Sequence, residues 1–552
     1  RIMLKHHIHV KMDAFPIENV ELEKIQCGGT TSAGYTPNAQ VFEIQVGDVK
    51  IRSTSRVCKS DGEQATRIRA YELFARLKRK IAESDLDYDP EWFSDIDVAY
   101  MMSIKAESRA PDEDVDKARL IFITNILKTY LDRVTIGPLM KRNYGIGSNA
   151  IETIWHEGGP TAFAKKMGII DEDGNFTDAS YGIIAADYSK FDNSILAGIL
   201  LMVCLSPITY LNTASKYSRV VRAVAMFMAK NSVNKVVKWF GDEWRMIIGL
   251  MFSGDLITSY GDTLYNEYVQ EAFDIVALTL LRKASPSLYA RIKRKCDALY
   301  GDDAFMLRDS DMIRFICGES PESILNNSLP QKEHGFAGSP VRMNEYLSQT
   351  FFLSLKMTDT YVCAWWDARP DMRLPCFFSQ INIHGHLLYK GPKFLKRYFL
   401  WDAPERTVIA WRPLEDYLSK SICLANNAQS VAIHLIRLRS LAVDTLGANP
   451  HAYEFLKVVH DELMLISSAK VHRLVESLLS DSSSDDSVFD PGMLHKVGKF
   501  NRELLNSFPE WKDLVALRYD PECLQQYVRS FQIRRKYLDP RVVQFEDHTY
   551  TG

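Results

Sequence analysis

"DALYGDDAFML", residues 297–307, sets Gly301-Asp302-Asp303 between two short apolar runs. Two physical readings compete for this stretch. Gly-Asp favours a tight hairpin bend between strands. Two carboxylates at such a tip also supply hard oxygen ligands for a cation such as Mg2+. A Gly-Asp-Asp triplet arises by chance in roughly one chain in ten of this length. The triplet alone therefore decides little, and its meaning depends on the rest of the chain.

The chain has 552 residues, 46% of them hydrophobic, enough to bury a large core or several subdomains. With 25% charged residues and a net charge of -3, it does not coat polyanions wholesale. Any nucleic-acid contact must use local basic stripes. The nine cysteines are scattered without CxxC pairs, which fits free thiols in a reducing compartment better than a disulfide framework. "RIMLKHHIHV", residues 1–10, carries no secretory signal pattern. The most apolar run, residues 195–211, barely reaches spanning length and contains Pro207, so it reads as a buried helix and the chain as soluble.

Outward from the triplet, residues 181–187, "YGIIAAD", and 296–300, "CDALY", read as short buried strands ending in acid or glycine. Residues 63–84 have helical spacing with a basic face. Residues 414–479 are mostly helical, broken at "GANP", 447–450, and "SDSSSDDS", 480–487, reads as a solvated acidic linker. The order is mixed α/β for two-thirds of the chain, then helical.

"IIAADYSKFDNSI", residues 183–195, carries Asp187 at the end of the apolar run and Asp192 five residues on. A strand end bearing one carboxylate can lie beside a hairpin tip bearing two more. Together they could hold two ions about 3.5–4 Å apart, as in-line phosphoryl transfer requires. Between the two lies "MFSGDLITSYGDTLYNEYVQ", residues 251–270, a Ser-Gly turn leading into a helix from Thr258.

In this order, Asp-x4-Asp, Ser-Gly-x3-Thr and Tyr-Gly-Asp-Asp, the chain resembles the viral RNA-dependent RNA polymerases. Asp187 and Asp192 match the family's motif A, Ser253, Gly254 and Thr258 its motif B, and Tyr300 to Asp303 its motif C. Upstream, "KAESRAPDEDVDKARLIF" offers Lys105, Arg109, Lys117 and Arg119, similar to the basic motif F that grips the incoming triphosphate. Guanidinium forks suit phosphate oxygens. "TSAGYT", residues 31–36, is similar to the template-guiding motif G, with Thr31 and Ser32 as its contacts; "YLSQTFFLSLKM", residues 346–357, resembles the motif E hairpin. The matches cover roughly residues 30–360.

The resemblance implies an α/β (α+β) right-hand fold with an antiparallel-sheet palm, mixed fingers and a mostly helical thumb. Fingers would take residues 1–180 with part of 212–248, the palm 181–360 around that insertion, and the thumb and C-terminal region 361–552. It also implies template-directed addition of ribonucleotides with two Mg2+ ions, or Mn2+ in their place. Asp187 and Asp302 would be the principal ligands, and Asp303 a weaker one near the primer end. Asp192 would accept from the ribose 2′-OH that separates RNA from DNA, and Asn266 would line the nucleotide site. The implied partners are single- or double-stranded viral RNA, NTPs and a viral capsid protein, with no membrane span, in the virion or host cytoplasm. The wording is most similar to polymerases of small double-stranded RNA viruses, the picobirnavirus and partitivirus types.

Two positions depart from the family pattern. Where many relatives carry asparagine nine residues after the motif B serine, this chain has Asp262. Two facing carboxylates repel unless a donor or cation intervenes. Asp262 is therefore expected to turn away or share a proton, with Ser253, Thr258 or Asn266 as substitute donor. The general acid, usually a motif D lysine, is open among Lys332, His334 and Arg342 in or beside "HGFAGSPVRMNE", residues 334–345. Arginine is a poor proton donor at neutral pH.

Rival readings are a reverse transcriptase, disfavoured by Asp192; a catalytically inactive RNA-binding or capsid-associated scaffold, disfavoured by the three retained core aspartates; and a two-metal nuclease, which gives the basic segment no task. "RIKRK", 291–295, and "YKGPKFLKRYFLW", 389–401, are possible RNA-channel linings but read first as solvated faces with snorkelling stems. "HGH", 384–386, reads as a polar loop.

Overall fold

The computed structural model describes residues 13–14, 41–46, 49–54, 59–84, 86–105, 119–151, 153–155, 158–175, 181–239, 243–252, 255–292, 295–326, 336–364, 379–383, 386–402, 406–422, 431–480 and 507–518. Its centre is a five-stranded antiparallel sheet in the order Phe336–Ala337, Tyr361–Ala364, Tyr181–Ala186, Asp303–Asp309, Lys295–Tyr300. Strand side chains alternate between faces, and here the alternation sorts one strand pair into two cores. Ile184, Ala186, Ala304 and Met306 join the larger core, which includes Leu264, Tyr265, Val269 and Phe273 of the helix Thr258–Ala284. Ile183, Ala185, Phe305 and Leu307 join the second, with Phe163, Phe394, Phe399 and Val408. All six residues of Tyr181–Ala186 are buried as a result. Each large side chain so buried stabilises the fold by about 1.5–3 kcal/mol.

A second, four-stranded sheet runs Arg119–Ile123, Tyr100–Lys105, Asn234–Lys238, Trp244–Ile248. Tyr100 pairs in parallel with Val237, so the segment after residue 212 returns to the N-terminal region. The helices Lys59–Glu83, Ile126–Thr135 and Ser218–Val233 share one core there through Phe74, Tyr130 and Phe227. The apolar run at 195–211 forms the helix Ala197–Tyr210 with Pro207 inside it. Leu200, Val203 and Cys204 are buried, whereas Leu201 and Met202 are exposed. No helix among the described residues is long and apolar enough to cross a membrane.

Two sequence expectations change. Residues 346–357 do not form a hairpin. Met343, Leu347 and Phe351 recur every four residues and are buried, so residues 346–351 belong to the helix Val341–Phe351. Phe352 ends it in the left-handed region at φ 53°, and the short strand Ser354–Leu355 follows. The last third is also not purely helical. It opens with an antiparallel sheet of Ser379–Ile383, His386–Phe394, Arg397–Asp402 and Thr407–Trp411, whose aromatic residues Phe394 and Phe399 close the second core. Helices follow from Leu414, and the break at 447–450 forms where Gly447 takes φ 59° and Asn449 caps the next helix by accepting from the Ala452 N–H at 3.1 Å. Asp444 joins sheet to helices, accepting from Arg397 and, at 3.1 Å, from Arg412. Burial alone would raise its carboxyl, but the two guanidinium groups hold it below the ordinary range.

Candidate active site

The Gly301-Asp302 bend is a two-residue hairpin turn, since Asp303 pairs with Tyr300. Gly301 has φ 59° at the first turn position, where L side chains are disfavoured and glycine is not. The helix Thr258–Ala284 grips this turn. Thr263 Oγ1 accepts from the Gly301 N–H at 2.8 Å, and Asn266 Nδ2 donates to the Gly301 carbonyl at 3.0 Å. Asn266 Oδ1 accepts in turn from the Tyr188 hydroxyl at 3.2 Å and Gln270 Nε2 at 3.3 Å.

The strand pairing brings the third acid alongside. Ala304 lies opposite Ala186 at the end of the ladder, so Asp303 and Asp187 leave the sheet next to one another. The electrostatics register that proximity. Burial, then Asp302, then Asp187 push the Asp303 carboxyl up to about 7. Burial also raises Asp302, partly offset by its own backbone N–H; Asp187 adds to the rise, and Lys356 and Lys396 oppose it. Carboxylate oxygens of this kind are the donors a hard divalent cation takes. Among the described residues, however, no three His, Cys, Asp or Glu side chains converge closely enough to hold an ion. The preformed cage expected from the sequence is therefore not closed. Asp187 instead engages Lys356, whose Nζ is 3.0 Å from both of its oxygens.

Asp192 sits in the first turn of Phe191–Ser194, and its carbonyl accepts from the Met251 N–H at 3.0 Å. Asp262 does not turn away from it. It is 4% exposed, under the Gly301 turn, and its Oδ1 has no hydrogen-bond partner among the described residues. Burial, then Asp192, then Asp302 drive its carboxyl well above the usual range. Held neutral, such an acid carries the donor that a carboxylate lacks. Two expected substitute donors are otherwise occupied: Thr258 Oγ1 donates to the Phe252 and Asp255 carbonyls at 2.6 and 2.8 Å, and Asn266 holds the turn. Both therefore position backbone rather than face a sugar.

Buried cations brace the segment that leads into this helix. Lys235 Nζ donates to the carbonyls of Gly249 and Leu250 at 2.9 and 2.8 Å, and Lys128 Nζ reaches Asp255 at 2.8 Å and Asp132 at 2.6 Å. The Tyr100 hydroxyl donates to the other oxygen of Asp255. Arg342 lies elsewhere. It stacks over the Phe315 ring at 4.1 Å and donates to the carbonyls of Phe315, Glu319 and Gly318, ending the helix Ser310–Ile316. Its guanidinium donors are engaged at that helix end.

Lys105 and Arg119 stand opposite one another in adjacent strands. Thr31, Ser32, Arg109, Lys117, Ser253, Gly254, Lys332 and His334 lie outside the described residues, as do 384–385 of "HGH", 293–294 of "RIKRK" and 481–487 of the serine-rich stretch. Sequence reading missed Thr263, Lys356 and Lys396. Lys356 was legible only as part of a presumed hairpin. Lys396 follows Leu395 at a hairpin tip where both are left-handed, at φ 60° and 50°, and its charge acts on Asp302 and Asp303.

No protein-family model matches the chain, and no curated protein does. Solved structures similar to it include a sicinivirus 3Dpol RNA-dependent RNA polymerase, at 15% identity and a TM-score of 0.47 over 86% of this chain and 82% of that one. The RNA-dependent RNA polymerase of a human picobirnavirus is similar at 12% identity and 0.48, over 97% and 78%. Its insertion-loop deletion mutant is similar at 10% and 0.48, over 91% and 76%.

Proposed function

We propose that this chain is an RNA-dependent RNA polymerase that replicates and transcribes a viral RNA genome. The observation that carries the reading is the meeting of Asp187 with the Asp302-Asp303 turn at one end of the central sheet, with the Asp303 carboxyl pushed up to about 7 by burial and its acidic neighbours. Buried carboxylates that repel one another in this way are suited to receive positive charge.

Bound Mg2+ or Mn2+, held by Asp187 and Asp302 with Asp303 beside them, would supply activation of the attacking hydroxyl and neutralisation of triphosphate charge. The chain's own residues bind and orient. Asp192 accepts from the ribose 2′-OH, and Asp262, carrying its proton, donates in the place where relatives use asparagine. Lys105, Arg109, Lys117 and Arg119 draw in the triphosphate, Ser253 and Gly254 the nucleotide, and Thr31 and Ser32 the template. Lys356 has the ammonium chemistry of a general acid and stands at Asp187, which recommends it over Arg342 for proton delivery to pyrophosphate. Lys332 and His334 remain candidates for the same role. A small double-stranded RNA virus, a capsid partner, and a location in the virion or host cytoplasm belong to this reading.

The test incubates the full chain with Mg2+, a primed or unprimed RNA template and labelled NTPs. Extended RNA that disappears in Asp302→Asn is expected. Product from dNTPs alone, cleaved RNA, or no product in the parent chain would replace the reading with a reverse transcriptase, a nuclease or a scaffold.

A further inference from the structure

Lys356 is held by more than its side chain. Ser354 and Leu355 pair with Ser189 and Tyr188, and one step further the Lys356 N–H donates to the Asp187 carbonyl at 2.9 Å. The Lys356 carbonyl accepts from the N–H groups of Asp359 and Thr360, each at 2.9 Å, and from Thr360 Oγ1 at 3.0 Å. Its backbone is thus pinned on both sides, while its ammonium reaches back to both oxygens of Asp187 at 3.0 Å. Its charge is also felt by Asp302. An ammonium bridging both oxygens covers the lone pairs a divalent ion would take at about 2.0–2.1 Å, and the two cations repel.

We propose that Lys356 is an internal counter-ion that competes with the divalent ion for Asp187, so that loading requires its side chain to swing off the carboxylate while its backbone stays in place. The inference rests on Asp187 being an ion ligand, which is part of the polymerase reading. The side chains are 43% and 33% exposed, so the swing needs only a lysine rotamer change into solvent. It sets a threshold: the acidic centre remains partly neutralised until ion concentration is sufficient to displace the lysine. Competition of this kind is reciprocal, since an ion that displaces Lys356 must also free it.

The experiment uses the full, metal-free chain without RNA or nucleotide and follows Mn2+ binding by loss of the free-ion electron paramagnetic resonance signal. Lys356→Met is expected to tighten Mn2+ binding by about threefold, the scale that a half-exposed ion pair supports. Lys356→Arg should remain near the parent value, and Asp187→Asn should weaken binding. In the parent chain, acylation of Lys356 by an amine-selective reagent, read by mass spectrometry, should speed up when Mn2+ is added; this arm holds even if a variant fails to fold. Unchanged or weaker binding in Lys356→Met, with Asp187→Asn still weakened, overturns the counter-ion role and leaves the ligand reading standing. Unchanged binding in Asp187→Asn removes both. Labelling insensitive to Mn2+ overturns the competition directly.

Discussion

The hairpin Lys295–Tyr300 and Asp303–Asp309 carries acids at both ends and treats them in opposite ways. At the closed end, Asp302 and Asp303 face Asp187, whose carboxylate engages Lys356, and burial with mutual repulsion raises their carboxyls against the weaker opposing charge of Lys396. At the open end, Arg308 is matched to two acids. It donates from Nε and Nη2 to Asp274 at 3.3 and 3.0 Å and from Nη1 to Asp297. Burial would lower the guanidinium, but Asp274 and Asp297 outweigh it and keep it charged. The same two strands therefore hold one cluster that is electrically closed and one left open. The closed cluster fixes the geometry of the central sheet; the open one has affinity left for something from outside.

The largest test of this contrast is Asp302→Asn. RNA extension should fall by about a thousandfold or more, the scale of removing a principal charge-stabilising group, while the urea midpoint should not fall. Lost stability with retained activity would reverse the two assignments. At the other end, Arg308→Leu strands two buried acids and should cost about 3–5 kcal/mol of folding stability in urea titration. A change under about 1 kcal/mol would show that the open end is not a structural lock.

The acidic centre also predicts a pH dependence with a definite sign. The folded chain keeps a proton on Asp303 up to about 7, whereas the unfolded chain releases it near the ordinary carboxylate value. That stabilisation is complete below about pH 4 and is lost as pH rises through about 7. Metal-free protein should therefore lose stability across this interval, and Asp303→Asn should flatten the curve; identical urea-midpoint profiles in the two chains would contradict the shift.

Asp262 sharpens the comparison further, as a buried acid whose Oδ1 has no hydrogen-bond partner among the described residues. Because burial, Asp192 and Asp302 drive its carboxyl well above the usual range, favouring the protonated form, Asp262→Asn is expected to keep a donor and leave ribonucleotide-over-deoxyribonucleotide preference within about threefold, whereas Asp262→Ala should lower it about tenfold. A large gain in the asparagine variant would mean that the acid supplies no donor. The smallest effect is expected from Thr263→Val, which removes the acceptor for the Gly301 N–H and should cost about 1 kcal/mol. A few-fold slower extension with unchanged nucleotide KM would place that loss in turn geometry.

Much of this was legible before any coordinates. Unbroken apolar runs in 181–186 and 304–307 require a sheet covered on both faces, and Gly301-Asp302 between the runs ending at Tyr300 and starting at Asp303 requires a tight turn. The helix from Thr258 was equally plain. Residues 346–357 misled because three aromatic or leucine neighbours in a row suit a strand as well as a helix. Only the four-residue recurrence reaching back to Met343 separates the two. The late sheet at 379–411 was missed for a related reason. Its aromatic residues read locally as stems on a solvated face, and their burial comes from a core supplied by Phe163 and Phe305, over eighty residues away in sequence.

By itself the sequence determined which residue types occur in which order: an acid closing an apolar strand, a Ser-Gly turn before a helix, a glycine before two acids. Short-range sterics and hydrophobic periodicity suffice for that, because they act between neighbours along the chain. Tertiary structure alone decided the charge balance around those acids. Lys356 on Asp187, Arg308 between Asp274 and Asp297, and Asp262 buried beside Asp192 and Asp302 all depend on distances between segments far apart in the chain, and electrostatic energy follows spatial separation and burial rather than sequence.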